Sequence, residues 1–188
     1  MRALIYTAGL GTRLRPLTYE TPKPMVEVAS KPVLEHLVEK LNDFGIDEII
    51  MNLHHLPKAI YEHFGTKLLY FYEPELLGEV GTLSALSEWF MGDEVLLLMG
   101  DTLTNLNLYQ MYDFHTKHHA DITAFVDDKG VCGGTWMLDS SFHWELCKNA
   151  TKIQDMPSLK YCPKNTWWID IGTPTELERA REKYDEHK

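Results

Sequence analysis

Residues suited to holding an anion crowd the stretch directly after the first apolar run of this 188-residue chain. Gly9 and Gly11 carry no side chains, so their backbone N–H groups can approach a phosphate closely. Arg13, Arg15 and Lys23 add fixed positive charge to the same stretch. Together these residues predict a cradle for a triphosphate. The alternative interpretation is a glycine-rich turn that carries solvated basic residues.

The glycine pattern differs from two familiar phosphate-binding motifs. Leu14 stands where the dinucleotide-binding fingerprint has its third glycine, and the GK[ST] ending of a Walker A loop is missing. The chemistry of the loop therefore has to be judged from the elements that position it.

Apolar runs typical of buried strands alternate with helical spacing along most of the chain, which predicts an α/β fold. The predicted strands cover residues 3–8, 47–53, 67–73, 94–101, 120–126, 132–138 and 166–172. The predicted helices cover residues 32–45, 56–65, 81–90, 108–119 and 174–187. This alternation indicates a Rossmann-like, mixed and mainly parallel sheet with helices on both faces. Ligands of such sheets bind beyond the carboxyl ends of the strands, where the loop 9–31 lies, while 139–165 stays unassigned.

Composition narrows the class of partner. The formal net charge of −10 argues against a general nucleic-acid or anionic-membrane surface, although it permits a small anionic ligand in a local basic pocket. Three scattered cysteines show no zinc-ligand spacing and suit a reduced, cytoplasmic setting. No apolar run approaches ~18 residues, so we expect a soluble protein that is not exported. One domain is expected over residues 1–188, and a homo-oligomer stays open.

A longer string carries a family resemblance. AGLGTRLRPLTYETPKPMVEVASKPVLEH, which begins at Ala8, resembles the signature of the sugar-1-phosphate nucleotidylyltransferases. The elements GxGTR, PLT, PKP and KP before a helix stand in the family's order and spacing. The chain looks most like the small mannose-, heptose- and N-acetylmuramic-acid-1-phosphate enzymes. The resemblance implies their nucleotide-diphospho-sugar transferase fold, with a nucleotide-binding half over 1–108 and a shortened acceptor-binding half over 109–188.

The resemblance also implies a reaction, in which a sugar-1-phosphate oxygen attacks the α-phosphorus of an NTP and releases pyrophosphate. Arg13 would stabilise the leaving pyrophosphate, and Lys23 would neutralise charge on the α-phosphate and orient the incoming phosphate. Positioning and electrostatic stabilisation suffice for such a step, without a covalent protein intermediate. The implied partners of the triphosphate are Ala8, Gly9, Gly11, Thr12 and Arg13.

Two aspartates match the family's metal-ligand positions, which implies Mg²⁺ as the cofactor. Asp101 ends the run LLLMGD, and Asp170 lies in WWIDIGTP. Mg²⁺ favours one or two carboxylates together with substrate oxygens. The alternative is that each aspartate merely caps a turn, but two matches beside the opening signature favour metal ligation.

The segment YEPELLGEVGTLSAL resembles the family's base-recognition stretch. Gly78 and Gly81 would let the backbone meet the base, and the carboxylate of Glu73 offers only hydrogen-bond acceptors. Such a carboxylate matches guanine N1–H and N2–H best, so GTP is favoured, although a cytosine amino group or the uracil N–H also fits. The alternative is that Glu73 and Glu75 are solvated charges at a strand end.

The match weakens over residues 109–165, on the acceptor side. CGGTWML resembles the family's sugar-pocket strand, which implies that Gly134 and Trp136 face the acceptor. The interval before it is cut to VDDKGVCGG. Lys129 either replaces the family's phosphate-binding lysine or lies in a surface turn.

Three functional hypotheses follow. The first is a Mg²⁺-dependent transferase that uses an NTP and a phosphorylated small-molecule acceptor, a sugar-1-phosphate. The second keeps the enzyme class but replaces the acceptor with a non-sugar phosphate such as phosphocholine, as in a cytidylyltransferase. The third is a non-catalytic nucleotide-binding domain with a regulatory or partner-binding role.

Overall fold

The computed structural model describes residues 1–185, which form a central sheet with helices on both faces. The strands are β1 (Arg2–Tyr6), β2 (Glu27–Val28), β3 (Lys31–Pro32), β4 (Ile49–Leu53), β5 (Leu69–Tyr72), β6 (Val95–Met99), β7 (Thr102–Thr104), β8 (Ile122–Val126), β9 (Cys132–Leu138), β10 (Leu159–Tyr161) and β11 (Trp168–Asp170). The α-helices are α1 (Val33–Phe44), α2 (Pro57–Phe64), α3 (Gly78–Ala85), α4 (Ser87–Phe90), α5 (Leu108–His118) and α6 (Pro174–Asp185).

The main sheet has seven strands in the order β10–β8–β9–β6–β1–β4–β5. Strand β1 pairs in parallel with β4 and β6, and β5 pairs in parallel with β4. Strand β9 runs antiparallel to both β6 and β8, while β10 is parallel to β8. This arrangement confirms the predicted mixed, mainly parallel sheet. Two small ribbons, β7–β11 and β2–β3, lie outside it.

The apolar core has two layers, one on each face of the main sheet. Alternation along β1 sends Ala3 and Ile5 to the face covered by α1, α2 and α5, and sends Leu4 and Tyr6 to the face covered by α3 and α4. A third, smaller cluster lies under the β7–β11 ribbon and α6. Because both faces are covered, the central strands are apolar throughout, as expected for parallel strands.

Local signals place α1 as expected. Its apolar residues recur at helical spacing, Pro32 precedes its first turn, and Gly45 ends it with a φ of 90°. The prediction of one helix over 81–90 is wrong in detail, because the chain forms two helices, α3 and α4, and α3 begins at Gly78. Glycines are poor helix formers, so the sequence did not indicate that first turn.

The segment that the sequence left unassigned, 139–165, contains short 3₁₀ turns and the edge strand β10. The loop 9–31 likewise contains three 3₁₀ turns and the start of the β2–β3 hairpin. The predicted last helix is present as α6, and its expected end at 186–187 lies outside the described residues. No helix within residues 1–185 has the length and apolar character needed to cross a membrane.

Candidate active site

The two predicted metal aspartates lie side by side, although they are 69 positions apart in the sequence. Asp101 follows β6 after Gly100 and directly precedes β7, and the antiparallel pairing of β11 with β7 places Asp170 opposite Thr102. The backbone N–H of Ile171 donates to the carbonyl oxygen of Asp101 at 3.1 Å. Gly100 lets this corner pass close to β1, since a Cβ there would lie 2.7 Å from the carbonyl oxygen of Tyr6.

Lys23 lies between the two carboxylates. Its 3₁₀ turn, Lys23–Met25, buries the side chain, of which only 8% is exposed. The ammonium nitrogen lies 2.5 Å from Oδ2 of Asp101 and donates a second hydrogen bond to Oδ1 of Asp170. A buried lysine needs such partners, because an unpaired ammonium away from water is costly. Arg13 approaches the same pair from outside, with Nη2 3.4 Å from Oδ2 of Asp170.

The glycine loop is shaped so that it passes close to Lys23. Gly11 adopts a left-handed φ of 60°, and a Cβ there would lie 2.9 Å from Cγ2 of Thr18 and 3.2 Å from Cβ of Lys23. Gly172 likewise leaves room for the Arg13 side chain, since a Cβ at Gly172 would lie 2.7 Å from the Nη2 atom of Arg13. Thr12 begins the 3₁₀ turn that carries Arg13, and both side chains are exposed.

A cavity of about 240 Å³ opens beside this cluster, at the carboxyl ends of β1, β4 and β6. Six of the predicted site residues line it: Ala8, Gly9, Lys23, Glu73, Gly78 and Asp101. Gly81 is set back within α3, where a Cβ would lie 3.0 Å from Cβ of Leu77. The structure thus joins the glycine loop, one aspartate and the predicted base-recognition stretch around one cavity.

Glu73 is buried rather than solvated, which overturns one of the two interpretations of this residue. Its residue exposure is 1%. Its Oε1 accepts hydrogen bonds from Nδ2 of Asn52 at 2.9 Å and from Oγ1 of Thr82. Its Oε2 accepts from the backbone N–H of Leu77 at 3.2 Å. Glu73 therefore holds the loop before α3 in place, whereas Glu75 is exposed.

Sequence reasoning missed several residues of the cavity wall, notably Tyr6, Asn52, Leu76 and Glu79. Asn52 is the one amide side chain in the apolar strand IIMNL, and a polar residue in a buried strand could have indicated a functional position. Its Oδ1 accepts from the backbone N–H of Thr7 at 2.7 Å. The phenol of Tyr6 donates to the carbonyl oxygen of Glu79 at 3.0 Å. Burial, then the charge of Glu79, raises the pKa of Tyr6 and keeps this donor protonated.

The three predicted acceptor residues have different surroundings. Trp136 is 3% exposed and packs in the core layer beneath α3 and α4, so the expectation that it faces the acceptor is wrong. Gly134 has a φ of 71°, and a Cβ there would lie 3.1 Å from Cγ of Met99, which lines the cavity. Lys129 lies in an exposed turn, where its N–H donates to Oδ1 of Asp127 at 3.0 Å.

The paired carboxylates fit a hard divalent cation. Asp101 and Asp170 offer carboxylate oxygens, which contact Lys23 in this structure, and residues 1–185 contain no group of three or more His, Cys, Asp or Glu side chains arranged for a metal. Two carboxylates suit Mg²⁺, which usually retains waters or takes substrate phosphate oxygens as further ligands. A complete site would therefore need substrate oxygens as well.

Comparison with known proteins identifies the family. The family model described as nucleotidyl transferase matches residues 2–131. The chain belongs to the nucleotidyl transferase family. This membership confirms the resemblance of the glycine-rich signature, which lies wholly inside the matched region.

Curated relatives match at about one third identity. A mannose-1-phosphate guanylyltransferase 1 from Arabidopsis thaliana is 34% identical over 192 residues, covering 95% of this chain and 52% of that protein. A UTP–glucose-1-phosphate uridylyltransferase from Synechocystis sp. is 35% identical over 140 residues, covering 65% of this chain and 36% of that protein. The chain thus spans about half, or less, of the length of these relatives.

Solved structures confirm the fold of this family. The UDP-glucose pyrophosphorylase from Acinetobacter baumanii superimposes with a TM-score of 0.81 at 18% sequence identity. The superposition covers 97% of this chain and 92% of that one. The superposition therefore confirms the predicted fold along nearly the whole chain.

Proposed function

We propose that this protein transfers a nucleoside monophosphate from an NTP to a sugar-1-phosphate, forming an NDP-sugar and pyrophosphate. The observation that carries the proposal is the position of Lys23, whose ammonium lies between Asp101 and Asp170 beside a glycine-lined cavity. A cation, two carboxylates and bare backbone at one sheet edge are the groups that phosphoryl transfer needs.

In this reaction an oxygen of the acceptor phosphate forms a bond to the α-phosphorus as the bond to the bridging oxygen of the pyrophosphate breaks. No proton needs to be removed from a phosphate that is already ionised. The backbone around Gly9 and Gly11 would bind the triphosphate, and Arg13 would neutralise the leaving pyrophosphate. Lys23 would leave the carboxylates and neutralise charge on the α-phosphate as the transition state forms.

We assign Mg²⁺ to Asp101 and Asp170. A bound Mg²⁺ would neutralise phosphate charge at this point and hold the reacting oxygens near one another. The protein's own contribution is to keep the two carboxylates adjacent through the β7–β11 ribbon.

GTP is the proposed nucleotide. The Arabidopsis relative, which matches along 95% of this chain, is named as a guanylyltransferase. The uridylyltransferase relative matches over a shorter part of the chain, 65% of it. An experiment therefore has to compare GTP with UTP. With Glu73 engaged by the protein's own donors, we propose that backbone near Gly78 contributes to reading the base.

We also propose a cytoplasmic setting, without nucleic acid or membrane as partner. The net charge of −10 and three free cysteines support this setting.

The roles of the aspartates can be tested by replacing each with asparagine. Asp101→Asn and Asp170→Asn are nearly isosteric and remove one metal ligand each, so we expect loss of turnover with the fold retained in circular dichroism spectra. Asp47→Asn, at an exposed aspartate far along the chain from either position, is the matched control and should keep wild-type turnover. Near-normal turnover of the first two variants would show that the assignment of metal ligands is wrong.

A further inference from the structure

A second cavity, of about 350 Å³, adjoins Asp170 and shares no lining residue with the nucleotide cavity. Its wall combines the turn after β8, strand β11 and the first turns of α6. The residues that matter to its chemistry are Asp127, Lys129, Trp168, Asp170, Glu176 and Arg179. The cluster of Lys23, Asp101 and Asp170 therefore contributes to both cavities.

The placement suits a two-substrate displacement. Asp101 and Lys23 line the first cavity, and Asp170 lines the second. An in-line attack needs the acceptor to approach the α-phosphorus from the side opposite the leaving pyrophosphate. The second cavity, beside Asp170, gives the acceptor a binding place that is separate from the place of the triphosphate.

Two cations in this cavity are available to a phosphate. The Arg179 side chain is 63% exposed, and its Nη1 meets Glu176 only at 3.5 Å, a weak hydrogen bond. Lys129 donates its backbone N–H to Oδ1 of Asp127, and this hydrogen bond does not involve the Lys129 ammonium group. In the nucleotide-free protein Asp170 contacts both Arg13 and the Lys23 ammonium that it shares with Asp101, which lowers its repulsion of an anion.

The rest of the wall suits a sugar. Asp127 and Glu176 offer carboxylate oxygens that can accept hydrogen bonds from hydroxyl groups. Trp168 is partly exposed and supplies an apolar surface for the C–H face of a sugar ring. The shortened turn that contains Lys129 thus still reaches the wall beside Asp170, although it lies unusually close to Gly133 and Gly134 in sequence.

We propose that this cavity binds the sugar-1-phosphate, with Arg179 on the last helix as a phosphate-binding residue beside Lys129. The inference rests on the proposed function, because it names the place of the acceptor in that reaction. It assigns a specificity role to α6, a helix that the sequence alone describes only as charged surface.

The test compares Arg179→Gln with Arg181→Gln. Arg181 lies on the same helix, pairs with Glu178 at 2.6 Å and does not line the cavity, so it is a matched control. Loss of a charge-assisted phosphate contact should raise the KM for mannose-1-phosphate by about tenfold or more, while the KM for the NTP stays within about twofold. Arg181→Gln should change neither constant. Calorimetric titration of mannose-1-phosphate and of phosphocholine into protein held with a non-hydrolysable NTP analogue measures binding without turnover.

The outcomes separate the inference from the proposed function. If the wild type turns over and Arg179→Gln, folded by circular dichroism, keeps the wild-type acceptor KM, the cavity assignment is wrong and the function stands. If the wild type forms no product with any acceptor, the proposed function fails. Calorimetry then decides the cavity, since weaker mannose-1-phosphate binding in Arg179→Gln than in Arg181→Gln supports it and equal binding refutes it. Binding of phosphocholine in preference to the sugar phosphate also refutes the inference.

Discussion

Replacing Lys23 with glutamine should make the nucleotide-free protein bind a divalent metal ion more tightly. In the structure the lysine ammonium occupies the oxygens of Asp101 and Asp170 that a metal ion would use. A metal ion must therefore displace the ammonium and overcome its positive charge. An incoming triphosphate removes this obstacle, because its oxygens give Lys23 another partner.

The size of the effect follows from the geometry. A metal ion held by the same two carboxylates would lie within about 5 Å of the Lys23 ammonium, and at that distance each unit of its charge repels the ammonium by about 3 kcal/mol at an effective dielectric constant of about 20. The Asp101 and Asp170 side chains are 23% and 36% exposed, so solvent screens part of this energy. If about half remains, roughly 1.4 kcal/mol, the affinity changes by about tenfold.

The assay is titration with Mn²⁺, followed by electron paramagnetic resonance of the free ion, first without nucleotide and then with a non-hydrolysable GTP analogue. Lys23→Gln should bind Mn²⁺ about tenfold more tightly than the wild type without nucleotide. The analogue should strengthen Mn²⁺ binding to the wild type much more than to the variant. Lys31→Gln, which breaks the surface pair with Glu39, is the control and should match the wild type. A folded Lys23→Gln protein with unchanged or weaker Mn²⁺ binding would refute the reasoning.

Three further predictions concern stability. Gly11→Ala places a Cβ 2.9 Å from Thr18 Cγ2 at a left-handed φ, so the free energy of unfolding in urea should fall by at least about 1–2 kcal/mol. Glu73→Gln turns an amide N–H₂ toward groups that are themselves donors, and should lower that free energy by about 1–3 kcal/mol. Burial lowers the pKa of His115, whose Nδ1 lies 2.8 Å from Thr123 Oγ1. The folded state favours the neutral ring, so its contribution to folding stability is present above about pH 6.5 and is lost as the pH falls through the lowered folded pKa. His115→Gln should therefore flatten the dependence of Tm on pH between about 7 and 5.

Each of these predictions has a contrary result. Gly9, where a Cβ would have nothing within 4 Å, is the control for the loop, and equal losses from Gly9→Ala and Gly11→Ala would deny the close approach. A Glu73→Gln protein as stable as the wild type would show that the carboxylate is not needed by its three donors. An unchanged acid slope in His115→Gln would assign the pH dependence to other groups.

The sequence predicted the sheet, and it placed both aspartates at strand ends, because these features depend on local patterns. Apolar runs that end in Gly-Asp, and an Asp that precedes Gly172, mark strand ends where ligands bind. Asp101 and Asp170 lie together because β7 pairs with β11, and these two short strands are far apart in sequence. No local pattern indicates such a pairing, so the resemblance to the family was needed to connect them.

The acceptor side could not be predicted from alternation. Gly134 and Trp136 are two residues apart and would share a face of a regular strand. The pairing of β8 with β9 shifts register between Ala124 and Val126, and Gly134 takes a positive φ, so the regular alternation is broken there. Trp136 lies in the core because α3 and α4 cover its face of β9, and no local pattern in β9 indicates that cover. Arg179 was missed for a different reason, since exposed arginines on a terminal helix ordinarily form only surface pairs.

The most direct test of the central claim is pyrophosphate release with Mg²⁺, using each of the four NTPs against a panel of sugar-1-phosphates and phosphocholine. We predict release with GTP and a sugar-1-phosphate, abolished by Asp101→Asn. Release with phosphocholine alone would replace the acceptor and keep the enzyme class. No release with any pair, while NTP binding persists, would contradict the proposed function and leave a nucleotide-binding domain without transferase activity.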